Sequence, residues 1–218
     1  GETLVTGPDG LIPPIPEDAS LCLGSYGVPQ SIVEAYAERG VKQMFPWQAQ
    51  CLQAKDRAPL AGGHLVYAAP TSGGKTLVAE VLMLRAAVHR GRAALFVVPY
   101  VALAEEKARY FQEVWAPLQL GVRAFHGSDG GAQLTDDVAV AVCTIEKANS
   151  ILNRLLEEDR LGGLGIIVVD EAHTIGLPGR GPLLELALSK ILAAAAAPAA
   201  RMAGGPGEEW GLEGAAVA

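Results

Sequence analysis

Two short stretches of this sequence carry residue types suited to a nucleoside triphosphate. The first is Ala69-Pro70-Thr71-Ser72-Gly73-Gly74-Lys75-Thr76. It ends an apolar run, Leu65–Ala69, and leads into a helical pattern. Glycines let backbone N–H groups converge on phosphate oxygens, and the new helix adds partial positive charge at its start. Lys75 can reach the terminal phosphates as a point charge, and the Thr76 hydroxyl can hold Mg²⁺. The general pattern opens on glycine, and here that place is Ala69. The plain alternative is a glycine turn with an exposed lysine.

The second stretch is Asp170-Glu171-Ala172-His173, directly after Ile166–Val169. Acids at the carboxyl end of a buried strand lie where open α/β sheets bind ligands. Asp170 is placed to hold Mg²⁺, and Glu171 to orient and deprotonate an attacking water. Taken alone, such a pair reads equally well as a helix N-cap. The phosphate turn in the same chain favours the chemical reading. His173 by itself reads more readily as structural than as functional.

These side chains need a frame. Helical spacing covers 29–39, 45–55, 75–90, 101–115, 146–159 and 182–194, with Pro46 near the first turn of the second helix, where a missing N–H costs little. Short apolar runs cover 65–69, 93–98, 122–125, 138–143 and 164–169. Runs without polar alternation mark strands buried on both faces. The expected fold is α/β, with a central, mostly parallel sheet flanked by helices. We expect an extended, proline-rich lead-in over 1–23, a nucleotide-binding domain over 24–194 and a disordered Ala/Gly-rich tail over 195–218.

The composition narrows the partners. The chain has 218 residues, half of them hydrophobic, and a net charge of −7. A dedicated nucleic-acid binder usually carries a basic excess. Contact with nucleic acid would therefore come from local geometry. The three cysteines are odd in number and form no CxxC pair, which fits a reducing compartment better than a disulfide or zinc framework. No apolar run approaches the roughly 18 residues of a membrane span, so no membrane partner is expected. The chain starts at Gly1 without a methionine and reads as an excised or partial product.

Together, the turn at 69–76 and Asp170-Glu171-Ala172-His173 resemble the first RecA-like lobe of superfamily 2 helicases, over about residues 24–194. Val41–Leu52 resembles the adenine-reading segment of the Ski2-like group. Leu95–Leu103, His126–Ser128 and Cys143–Asn149 resemble its strand-end motifs, and Arg180–Glu185 its RGxxxE helix. The combination is most similar to the polymerase-theta-like repair branch, although that branch commonly has Leu where Ala172 stands.

The resemblance implies ATP and Mg²⁺ as cofactors and single-stranded DNA as partner, with RNA as the alternative. A nucleus would be the location in a eukaryote, and the cytoplasm otherwise. It implies that Gln48 reads adenine and that Pro99, Tyr100, Gly127, Ser128, Thr144 and Glu146 grip a phosphodiester backbone. Ordinary loop and cap residues are the plain alternative for these six. Arg180 and Glu185 read as braces. A working helicase of this kind has a second RecA-like lobe with an arginine finger, and no motif of that lobe follows Glu185. The isolated chain is thus expected to be nearly inactive, or a non-hydrolysing ATP-binding module.

Overall fold

Ala93–Val98 (β2), Val140–Thr144 (β4) and Leu164–Val169 (β5) are almost wholly buried, as unbroken apolar runs require. They lie side by side in a computed structural model that describes residues 21–54, 59–61, 63–69, 73–127, 133–196 and 215–217. Leu65–Val66 (β1), Val122–Phe125 (β3) and Ala215–Val217 (β6) complete a six-stranded sheet in the order β1-β6-β5-β2-β4-β3. Every pairing is parallel.

The pleat sends alternate residues to opposite faces. Ala94, Phe96, Val98, Val140, Val142, Ile166 and Val168 join one core cluster. Leu95, Val97, Ala141, Cys143, Ile167 and Val169 join the other. Gln30–Glu38 (α1), Pro46–Leu52 (α2), Lys75–Leu84 (α3) and Val101–Val114 (α4) cover the first face. Ile145–Glu157 (α5) and Gly181–Ala196 (α6) cover the second. The α4 helix anchors through Phe111, which packs edge-on to Phe96 at 5.3 Å and stacks on Trp115 at 4.6 Å.

The register brings the working strand ends to one edge. Val98 pairs with Thr144, and Val97 with Val169. Tyr100 and Asp170 therefore follow β2 and β5, and Thr144 ends β4, along one rim.

Three expectations change. The strand over 65–69 shortens to β1, because Tyr67 leaves the ladder and donates its hydroxyl to the Lys75 carbonyl at 2.8 Å. The lead-in assigned to 1–23 gives up its end to the core. Leu23 is fully buried, and the Leu21 carbonyl accepts from Met44 N–H at 2.9 Å. Residues 1–20 lie outside the described residues. Of the tail assigned to 195–218, Ala195 and Ala196 end α6 and Ala215–Val217 form β6, while 197–214 and 218 lie outside the described residues. The slot between β1 and β5 offers unpaired backbone groups on both sides, and a short apolar segment satisfies them.

Candidate active site

Gly74 opens the phosphate turn onto α3 with φ +74°. A side chain there would be strained, and its Cβ would stand 2.7 Å from Gln48 Nε2. That close approach lets Gln48 donate to the Gly74 carbonyl at 2.8 Å, while its oxygen accepts from Phe45 N–H at 2.7 Å. Gln48 is buried, with both ends of its amide bonded to backbone. In this conformation it is a strut between α2 and the phosphate turn. Each end of the amide keeps a further bonding position, one N–H and one lone pair.

Lys75 and Thr76 form the first turn of α3 and are half-buried. Ala69 lies half-buried just past β1. Gly73 precedes the left-handed Gly74, and Pro70, Thr71 and Ser72 lie outside the described residues. Asp170 continues the β5 ladder, its N–H donating to the Val97 carbonyl at 2.9 Å. Its carboxylate accepts from Glu171 N–H at 3.0 Å. Burial pushes Asp170 above the ordinary carboxylate range, and the Lys107 and Lys75 ammonium groups pull it back. Glu171 adopts a left-handed backbone, φ 55°, and its carboxylate stands 3.2 Å from the Nδ1 of exposed His173.

Residues that sequence reasoning gave no role at the site complete this corner. Glu80, one turn beyond Thr76, is buried on α3. Tyr36 donates its hydroxyl to the Glu80 carboxylate, Tyr110 does so at 3.3 Å, and Trp115 Nε1 donates to Tyr36 at 3.2 Å. Burial pushes the Glu80 carboxyl up to about 7 against these donors. Lys107 on α4 donates to Thr76 Oγ1 at 3.3 Å. A helical row, Leu103, Lys107, Tyr110 and Val114, was the available signal for Lys107. Gln48, Gly74, Thr76, Glu80, Lys107 and Tyr110, among others, line a cavity of about 530 Å³.

The donor set suits a small hard cation held mainly through substrate oxygens. Thr76 supplies a hydroxyl and Asp170 a carboxylate, and among the described residues no group of three or more His, Cys, Asp or Glu converges. Mg²⁺ is usually held that way, by one or two carboxylates plus phosphates.

A second recess lies along the same rim, lined by Pro99, Gly127, Thr144, Glu146, Lys147 and Arg180 among others. Thr144 caps α5, its hydroxyl accepting from Lys147 N–H at 3.4 Å. The Lys147 ammonium donates to the Gly127 carbonyl at 3.2 Å. Arg180 lies 4.7 Å from the Tyr100 ring centre and 3.4 Å from Glu146. It braces the start of α6 against α5 and α4. Gly181 follows because a Cβ there would stand 2.1 Å from the Ile175 carbonyl oxygen. Glu185 is exposed, and Ser128 lies outside the described residues.

The profile of the family described as DEAD/DEAH box helicase matches residues 46–203, which include both chemical stretches. The chain belongs to the DEAD/DEAH box helicase family. Within that family it is 45% identical over 171 residues to mouse DNA polymerase theta, covering 78% of this chain and 7% of that protein. It is 38% identical over 181 residues to the human helicase POLQ-like, covering 81% and 16%. It is 36% identical over 166 residues to the ATP-dependent DNA helicase Hel308 of Thermococcus kodakarensis, covering 76% and 14%. The chain thus spans a small part of each relative's length. The solved structure of the DUF1998 helicase MrfA shares the fold, with a TM-score of 0.65 at 18% identity, covering 87% of this chain and 28% of that one. This is a helicase domain related to the polymerase-theta-like and Hel308 DNA helicases.

Proposed function

We propose that residues 24–194, with Leu21–Leu23 packed against them, form the ATP-binding and hydrolysing lobe of a DNA helicase. One observation carries this reading. Lys75 and Thr76 open α3 directly after the left-handed Gly74, and Asp170 continues the buried β5 strand beside β2, the arrangement that a phosphate turn and an acidic strand end would need. Lys75 would bind terminal phosphate oxygens, and Thr76 and Asp170 would hold Mg²⁺. Bound there, Mg²⁺ would neutralise charge that develops on the phosphates. Glu171 would orient the attacking water and accept its proton. Phe45, exposed beside Gly74, and Gln48 border the place where a base would sit, so adenine recognition would be linked to the phosphate turn through one amide. Tyr100, Gly127, Thr144 and Glu146, with Pro99 and Ser128, would contact a single DNA strand through its backbone.

The names of the relatives support DNA as the substrate, and a role in repair, in the nucleus of a eukaryotic source, follows from the polymerase-theta likeness. The resemblance also assigns the arginine finger to a second lobe. Such a finger contributes roughly 10³–10⁵ in rate. Turnover by this lobe alone should therefore be close to background.

The test is titration calorimetry of the 218-residue chain with Mg²⁺ and ATP. The parent should bind, and Lys75→Ala should lose at least about tenfold in affinity, as removal of a charge-assisted bond implies. Glu171→Gln should keep binding while abolishing single-strand-stimulated turnover in a two-lobed form. Equal affinity of the parent and Lys75→Ala would defeat the proposal.

A further inference from the structure

We propose that Lys147 is a positioning residue of the second recess, the one assigned above to a single DNA strand. Its ammonium holds the turn at Gly127 against the start of α5 and so fixes the wall of that recess. This rests on the strand-binding reading and adds to it the residue that sets the shape of the contact.

Lys147 occupies an expensive place. It is the third residue of α5, in the first turn, where the helix presents partial positive charge and favours an acid over a cation. A Thr cap such as Thr144 is commonly answered three residues on by Glu or Gln, whose side chain accepts from the cap N–H. Lysine has no acceptor and cannot make that return bond. The residue is also only 8% exposed, and burying an ammonium costs free energy unless it is bonded. Its side-chain partner lies 20 residues back, at the Gly127 carbonyl, 3.2 Å away.

That partner explains the placement. The ladder between β3 and β4 ends with Phe125 opposite Cys143. Past that pair, one chain turns through His126 and Gly127, and the other enters α5 at Ile145. Among the described residues, the hydrogen bond that joins the two segments there is the one from Lys147. Gly127 is left-handed, φ +58°, yet a Cβ on it would meet nothing within 4 Å. The turn thus asks for glycine by its conformation and not by crowding, and the carbonyl of that same residue is the one Lys147 holds. On the other side, His126 Nε2 lies 3.2 Å from Glu105 on α4. The turn is therefore tied to both neighbouring helices. Gly127, Thr144 and Lys147 all line the recess, so the bond lies in its wall.

Replacing lysine by methionine keeps the stem and removes the ammonium. The change takes away a buried charge and its conflict with the helix start. Gly127 is exposed, so its carbonyl can accept from water instead. The fold should lose nothing, while the turn is released from α5. A lysine kept for stability alone would give the opposite result.

The experiment uses the 218-residue chain and its Lys147→Met and Lys147→Gln variants. In thermal unfolding, both variants should have a Tm no lower than the parent's. Amide hydrogen exchange followed by mass spectrometry should be faster than in the parent over 122–127 and unchanged over 164–169. Filter binding of a single-stranded thymidine oligonucleotide should show affinity lower by about threefold to tenfold, the scale of one hydrogen bond. The slope of log affinity against log salt should match the parent's, because the ammonium is engaged with Gly127. Loss of a phosphate contact would instead flatten it by about 0.7.

A lower Tm, or variants that do not fold, would assign Lys147 to stability alone and overturn the proposal. Unchanged exchange over 122–127 or unchanged affinity would do the same. A slope flattened by about 0.7 would make Lys147 itself a phosphate ligand and also overturn it. A parent that does not bind the oligonucleotide defeats the strand-binding reading, and the exchange comparison then decides by itself whether Lys147 holds the turn.

Discussion

Gln48 and Glu80 are buried and bonded to backbone or to other side chains, whereas Arg180, Tyr100 and Glu146 lie at the surface and meet side chain to side chain, next to the buried Thr144 and Lys147. Both regions stand on the same rim of the same sheet. The difference suits the ligands proposed for them. A triphosphate must be held in one geometry for in-line attack, and buried, fully bonded groups keep that geometry. A strand that advances stepwise must be gripped and released, and exposed pairs in water are cheap to exchange. Burial of polar groups thus separates a site that fixes its ligand from one that lets it pass.

The largest test of that contrast is the Glu80 carboxyl, which burial raises from an ordinary 4.5 to about 7. Its folded-state value is above its unfolded one, so the stability contributed by the protonated form is fully present below about pH 4.5. That contribution is lost as pH rises through about 7. At 1.36 kcal/mol per unit, the difference between about pH 5 and pH 8 is on the order of 2–3 kcal/mol. Denaturant unfolding of Glu80→Gln should show a pH dependence smaller by that amount. An unchanged dependence would mean that the corner is as solvated as the groove, and the contrast would fail.

A smaller effect is expected from Gly74→Ala. The left-handed backbone costs a side chain about 1–2 kcal/mol, and the new Cβ must displace the Gln48 amide. We expect a loss of that size in unfolding free energy, together with weaker ATP binding in calorimetry. A variant that lost stability but kept full ATP affinity would separate the Gln48 strut from nucleotide binding.

The smallest effect on folding belongs to Arg180→Ala. Its two partners are exposed, so stability should change by no more than about 0.5 kcal/mol. Single-stranded DNA affinity should fall, and the slope of log affinity against log salt should flatten by about 0.7 if one phosphate contact is lost. Filter binding at several salt concentrations reads both. A large stability loss would show that the groove, too, is held by buried structure.

The element order was legible because strands buried on both faces leave unbroken apolar runs, and the places of Lys75, Thr76 and Asp170 were legible because a glycine turn opening a helix and an acid after a buried strand are marked by residue type. β6 was not legible. Ala-Ala-Val carries no period, and only the vacant slot between β1 and β5 selects it. Glu80 and Lys107 were missed for a related reason. A single charged residue in a helix ordinarily faces water, and only the helical rows they share with Leu77 or Leu103 turn them inward. The sequence reading gave Gln48 adenine recognition, and the structure shows its amide bonded to the phosphate turn. Its bonds to Phe45 and Gly74 depend on a close backbone approach that no spacing rule encodes.

Glu171 sits in the left-handed region at φ 55°, where glycine or asparagine would rest more easily. Such a conformation costs on the order of 1–3 kcal/mol in a non-glycine residue. A lineage drifting under selection for stability alone would tend to lose that side chain. Keeping there the carboxylate proposed to orient water would work against stability, the usual trade between a firm fold and a reactive site. Stabilising substitutions elsewhere in the lobe, such as better helix caps on α4 or α6, would widen the margin within which this residue can be kept.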